Sequence, residues 1–207
     1  MKKIMVMLLC MAMLLCLLSG CGCERGATAP TEVTEATEEI AEEAVEVLPI
    51  EGSLDMIFSS GAGAWGTNIN LKADGSFTGT YHDSEMGLTG EGYDMTVVEC
   101  DFWGSFTDIE KIEDYAYAMK LDTLETRVPV GKSEIEDWGD TKVRILYEDA
   151  FGIAGGEEFI LYLPTAPIKE LDEEFLWWNP TTDESDIMLG CYGLYNKNES
   201  AGFFNYD

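Results

Sequence analysis

His82 is the only histidine in a chain of 207 residues, so any serine-histidine-aspartate relay would have to use it as the base. It sits in Tyr81-His82-Asp83-Ser84-Glu85, and no serine occupies the Gly-x-Ser-x-Gly turn that presents a nucleophile. A nitrogen-and-sulfur zinc site would need His82 with Cys23, Cys100 and Cys191, which lack the close pairing such sites use. The histidine segment therefore reads as an exposed polar loop. Oxygen ligands are far more plentiful, since the chain holds 40 aspartates and glutamates. Calcium takes about six to eight oxygens, and extracellular modules often hold it weakly. Asp83, Glu85, Glu91 and Asp94 are the candidate metal ligands, with Asp183, Glu184 and Asp186 as a second group, although no EF-hand spacing is present. No cofactor is expected, weak calcium being the one candidate. A glycosidase would need two particular carboxylates roughly 5 to 10 Å apart, and acids this abundant do not single out a pair.

Trp65, Trp103, Trp138, Trp177 and Trp178 are the candidate ligand-binding residues, because an indole on an exposed face offers a large flat apolar surface with one polar edge. Trp103 lies in the strand phase opposite Phe102 and Phe106, on the outer face. A helix carrying Phe175 is its expected cover; uncovered, it would be a platform for a ligand. Cys100 shares its phase with Phe102 and Phe106, and Cys191 shares its phase with Ile187 and Leu189, so both are expected to be buried. They form the possible disulfide, and the sequence leaves their pairing open.

The elements that must hold these side chains have a dominant period of two, the period of half-buried strands. Residues 65–71 and 77–81 alternate on either side of Asp74-Gly75, a hairpin turn signal. Residues 96–107 set Val98, Cys100, Phe102, Gly104 and Phe106 against Val97, Glu99, Asp101, Trp103 and Ser105. After an expected turn around residues 109–113, Tyr115, Tyr117, Met119 and Leu121 continue the pattern. Further strands are predicted at 54–58, 142–147, 158–163, 186–194 and 202–205. Residues 167–178 carry Ile168, Leu171, Phe175 and Trp178 at spacings of three and four behind Pro167, which predicts one short helix. The fold class is mainly β, an antiparallel meander closing into a small barrel or a sandwich, since closure removes exposed edges.

The chain carries 12 basic residues against its 40 acids, a net charge of -28, which excludes a basic nucleic-acid binder. Its 46% hydrophobic content argues against a wholly disordered acidic chain. Every aromatic residue lies beyond residue 50, and residues 22–50 hold eight glutamates and one arginine, the composition of a solvated spacer. Ahead of it, Met1-Lys2-Lys3 and the apolar run 4–18 have the form of a signal peptide.

That run ends in Leu18-Ser19-Gly20-Cys21, which resembles the lipobox of bacterial lipoproteins. The resemblance implies cleavage before Cys21, acylation of its thiol, and placement on the extracytoplasmic face of the cell membrane. It divides the chain into a signal peptide (1–20), a lipidated cysteine with an acidic tether (21–50) and a β domain (51–207). Gly63-Ala64-Trp65 is similar to the Gly-x-Trp start of lipocalin-like barrels, although only Asp114-Tyr115 matches the second lipocalin signature. Blocks such as Tyr81-His82-Asp83-Ser84, Tyr115-Ala116-Tyr117 and Leu161-Tyr162-Leu163-Pro164 resemble uncharacterised Gram-positive surface lipoproteins. The expected function is a non-catalytic binding or interaction module, not an enzyme, anchored to the membrane by lipid. Its expected partner is a carbohydrate, a peptide or an envelope protein, with no nucleic acid. The alternatives are a carboxylate-dependent glycan hydrolase and a lipocalin-like carrier of a small hydrophobic ligand.

Overall fold

The computed structural model describes residues 47–85, 87–183 and 185–206. The segment expected to be a signal peptide, Cys21 and nearly all of the expected tether lie outside the described residues. Ten strands are formed: β1 (Ser53–Ser59), β2 (Trp65–Lys72), β3 (Ser76–Glu85), β4 (Met95–Glu113), β5 (Ala116–Thr126), β6 (Ser133–Trp138), β7 (Thr141–Tyr147), β8 (Glu158–Tyr162), β9 (Gly193–Asn196) and β10 (Ala201–Phe204). Eight of them make a closed antiparallel barrel in which each strand pairs with the next, in the order β1, β2, β3, β4, β5, β8, β9, β10. Closure comes from β10 meeting β1 at Ile57 and Phe204. The remaining two form a hairpin, and its β7 pairs in parallel with the first residues of β4, from Met95 with Val143 to Glu99 with Tyr147. The folded region begins before residue 51. Leu48 and Ile50 are buried in the core, and the Leu48 N–H donates to the Ala73 carbonyl at 2.9 Å, so the end of the spacer packs onto the barrel.

The alternation that predicts the strands also fills the barrel. Phe58, Ile69, Leu71, Phe77, Cys100, Phe102, Phe106, Met119, Phe159, Leu161, Leu194 and Phe203 point inward and are almost wholly buried. Two glycines make room for two of these rings. Gly79 pairs with Phe102 and Gly104 with Phe77 across the β3–β4 ladder. A Cβ on Gly79 would lie 2.3 Å from the Phe102 ring, and one on Gly104 would lie 2.1 Å from the Thr123 carbonyl oxygen and 2.6 Å from the Phe77 ring. Each glycine thus receives the aromatic ring of the opposite strand, a cross-strand pairing that also fixes register.

Three expectations need correction, and one strand was not expected. The turn expected at 109–113 is strand: β4 runs on to Glu113, absorbing its irregularity through register shifts and through Asp108, which has a left-handed φ of 51°. The Asp108 carboxylate is held there by Lys120 at 2.9 Å. The predicted helix is broken into a 3-10 turn at Ile168–Glu170 and one α-helical turn, α1 (Glu173–Leu176), because Asp172 leaves helical geometry to cap α1 by accepting from the Glu174 N–H at 2.9 Å. The strand expected at 186–194 begins only at Gly193. The chain before it is held by Leu189 and Gly190 N–H groups donating to the carbonyls of Ala166 and Pro164, and Ile187 is 78% exposed. β6 went unpredicted because all six of its residues are exposed, leaving no apolar phase to read.

Phe175 is wholly buried, against the outer face of β8, β9 and β10, with its ring 5.1 Å from Tyr162, 5.3 Å from Tyr195 and 4.7 Å from Phe204. Gly193 and Gly202 form its seat, since added Cβ atoms would meet the ring at 2.4 and 3.1 Å. This placement removes α1 from Trp103, the residue it was expected to cover.

Candidate functional site

Trp103 is 41% exposed and belongs to a polar ledge on the outer face of β1–β4. The side chains opposite those of the core line up across the strands in rows, because registered residues of neighbouring strands share a face. One row runs Asp55, Asn70, Thr78, Trp103. The next runs Ile57, Asn68, Thr80, Asp101, and Phe204 flanks it at the barrel seam. Together with Tyr206 and Arg127 these rows line a groove of about 650 Å³. Several of its polar groups are held in place. The Asn70 amide donates to Asp55 at 2.7 Å and to Ser53 at 2.9 Å, and Arg127 Nε pairs with the Asp101 carboxylate at 3.1 Å. The ledge offers amide and hydroxyl donors and acceptors, the Asp55 carboxylate, the Asp101–Arg127 ion pair and a flat indole.

A third row continues the same face through Gly66, His82, Glu99 and Tyr147 toward the hairpin. Burial first, then the charges of Asp101, Glu136 and Glu134, hold the Glu99 carboxyl above its ordinary value, with His82 opposing them. The Tyr147 hydroxyl donates to Glu134, and that bond, with burial and the surrounding carboxylates, pushes its ionisation up to about 12.

The five tryptophans occupy three places. Trp65, Trp177 and Trp178 meet at one end of the barrel, where Phe58 lies 5.0 Å from Trp65 and 4.7 Å from Trp178 and Phe151 lies 5.3 Å from Trp65. Trp138 stands apart on β6, half exposed, its indole N–H donating to Glu136 at 2.9 Å.

The described candidate metal ligands do not converge, and Glu184 lies outside the described residues. Among the described residues no group of three or more His, Cys, Asp and Glu is placed to hold a metal ion. Asp83 and Glu85 end β3 opposite Val98 and Thr96, while Asp94 closes its own loop by accepting from the Lys142 N–H at 2.8 Å. Glu91 lies in the exposed loop between β3 and β4. In the second group, Asp183 accepts from the Ser185 N–H and hydroxyl, which lower its pKa. The two described cysteines, Cys100 and Cys191, are free. Cys100 is inside the barrel, where burial pushes its thiol up to about 11, whereas Cys191 is only half-buried and belongs to the cluster on the outer face. The expected burial of Cys191 fails because the strand that was to bury it is not formed.

Sequence reasoning passed over Asp55, Asn68, Asn70 and Arg127. The signal for the first three was present, since they occupy the polar phase of the strands whose apolar phase is the core. Arg127 lies past the end of β5 and reaches the ledge only through its ion pair and the bond from its N–H to the Asp101 carbonyl. The chain matches no protein-family model, no curated protein and no solved structure at a significant level. Among the described residues no helix is long and apolar enough to cross a membrane.

Proposed function

We propose that the protein is a non-catalytic binding module, anchored by acylation of Cys21 to the extracytoplasmic face of the cell membrane, whose β1–β4 ledge holds a neutral carbohydrate. The observation that carries the reading is the exposed Trp103 indole set beside Asn68, Asn70, Thr78, Thr80 and the Asp101–Arg127 pair in one groove. A sugar presents an apolar face of C–H groups and a rim of hydroxyls that donate and accept, and this surface supplies a partner for each. The barrel interior, filled by phenylalanine rings, favours a surface binder over a carrier of hydrophobic ligands. A glycan array probed with the full-length protein tests the reading. Trp103→Ala is expected to abolish the hits while the protein remains folded, and hits that survive it would refute the ledge. For the anchor, Cys21→Ser is expected to leave unprocessed precursor, and mass spectrometry showing an unmodified Cys21 would remove it.

A hydrolase remains the second reading, favoured by Glu99. This carboxyl is raised by burial, as a general acid requires, and stands two residues from Asp101 on the same strand face. Asp101 is engaged by Arg127, and Glu99 does not line the groove, which is why the binder is preferred. Turnover of any array hit, lost in Glu99→Gln, would reverse that order.

A further inference from the structure

A second cavity, of about 450 Å³, opens at the end of the barrel between α1 and the turn before β10. Its lining is Glu173, Glu174, Trp177, Trp178, Glu199 and Ser200. The two indoles lie 5.0 Å apart and are inclined by 59°, so they form two walls of a corner and do not stack flat. One wall is fixed. Trp178 packs edge-on against Phe58 and Trp65, and its N–H donates to the Ser200 carbonyl at 2.7 Å. The other wall, Trp177, is 79% exposed, the most exposed large hydrophobic side chain among the described residues.

The polar groups of this corner differ in kind from those of the ledge. None of the three glutamates is ion-paired to a described lysine or arginine, and no basic side chain lines the cavity. The single hydroxyl is already used, since Ser200 donates to the Glu174 carboxylate. Two cavities adjoin it, one through Glu199 that adds Glu148, Asp149, Tyr81 and Phe151, the other through Trp177 and Trp178 that adds Ser59, Ser60 and Pro180, and neither has a basic residue. What remains in the corner is carboxylate acceptors and π faces, with the exposed Trp177 indole N–H as its one uncommitted side-chain donor. A neutral sugar would find few donors for its oxygens. An organic ammonium group has no acceptor to satisfy, is attracted by the indole faces and is attracted again by the carboxylates.

We infer that the Trp177–Trp178 corner is a second binding site, distinct from the carbohydrate ledge, that takes the cationic head of a small alkylammonium compound. The inference does not depend on the function proposed for the ledge. Shared chemistry covers quaternary and primary ammonium ligands, and the probes separate them.

The test titrates the full-length protein with choline, with butylammonium and with 3,3-dimethylbutan-1-ol, the uncharged isostere of choline. Binding is followed by calorimetry and by the indole N–H signals in NMR. At least one cation is expected to bind in the millimolar range or tighter, with its shifts at Trp177 and Trp178, and the neutral isostere at least about tenfold more weakly, the scale of a cation–π contact with neighbouring carboxylates. Preference for choline over butylammonium would identify a quaternary ligand, and the reverse a primary amine. Trp177→Ala is expected to weaken the bound cation about tenfold, and Trp103→Ala to leave it unchanged. Equal affinity for the isostere, no binding of either cation, or binding indifferent to Trp177→Ala would each overturn the proposal. Because Trp177 is so exposed, its removal leaves the fold intact, and a lost signal cannot be assigned to unfolding.

Discussion

Trp103 and Trp177 are both exposed indoles, yet their neighbours give them different chemistry. Around Trp103 the side chains are amides, hydroxyls and two carboxylates, Asp101 paired with Arg127 and Asp55 accepting from the Asn70 amide. Around Trp177 they are carboxylates with no basic partner. The difference comes from the elements. A strand face repeats its polar residues at every second position and accumulates a mixed surface across four strands, whereas the corner is built by α1 and a turn. The first turn of α1 favours acids because they complement the exposed N–H groups there. The same residue type thus marks a mixed hydrogen-bonding surface on the sheet and a purely anionic one at the helix.

The largest test of this contrast separates the two walls of the corner. Trp178→Ala removes a side chain packed on Phe58 and Trp65 and is expected to cost about 3 kcal/mol of stability, read by chemical denaturation, against roughly zero for Trp177→Ala. Equal losses would mean that neither indole is free for a ligand. On the ledge, Arg127→Ala releases Asp101 from its ion pair and is expected to weaken glycan binding about tenfold, while Trp177→Ala leaves that binding unchanged. A shared loss would merge the two sites into one. Salt gives a smaller and opposite signature. At about 1 M the screening length falls to roughly 3 Å, so ammonium binding at the corner should weaken several-fold and glycan binding at the ledge should hold.

The smallest effect concerns Glu99, at the border between the ledge and the acidic hairpin. Its carboxyl is raised above the ordinary 4.5, so the folded protein retains this proton at pH values where the unfolded chain has lost it. The stability associated with the protonated form is present below 4.5 and is lost as pH rises through the folded value. Glu99→Gln should therefore raise the melting temperature near neutral pH and leave it unchanged in acid. A loss at neutral pH would show that the ionised carboxylate is a favourable partner.

Much of the barrel could be read from period two, because Phe77, Phe102 and Phe106 alternate with polar residues over strands long enough to leave no doubt about phase. The same alternation contained the ledge: Thr78 and Thr80 are the complement of Phe77 and Gly79. Which strands lie side by side is not a property of any one of them, however, so the rows joining Asp55 to Trp103 needed the register. α1 was overextended because Ile168, Leu171 and Phe175 have helical spacing while Asp172 between them interrupts the helix to cap its last turn. The corner was beyond sequence reasoning, since Glu199 and Trp177 are neighbours only after β9 and β10 bring the chain back past α1.

The seam between β1 and β10 bears on the order of folding. The barrel is closed there by one registered pair, Ile57 with Phe204, and by an Asn205 amide that reaches the Asp55 carbonyl across 150 residues of sequence. Closing a loop of that length has a high entropic cost and must await the strands between. The hairpins from β1 to β5 can form locally and early, and the seam is expected to form last. Ile57, Asn205 and Phe204 are therefore positions at which substitution should speed unfolding far more than it slows folding, making this short latch the point that sets the lifetime of the closed barrel.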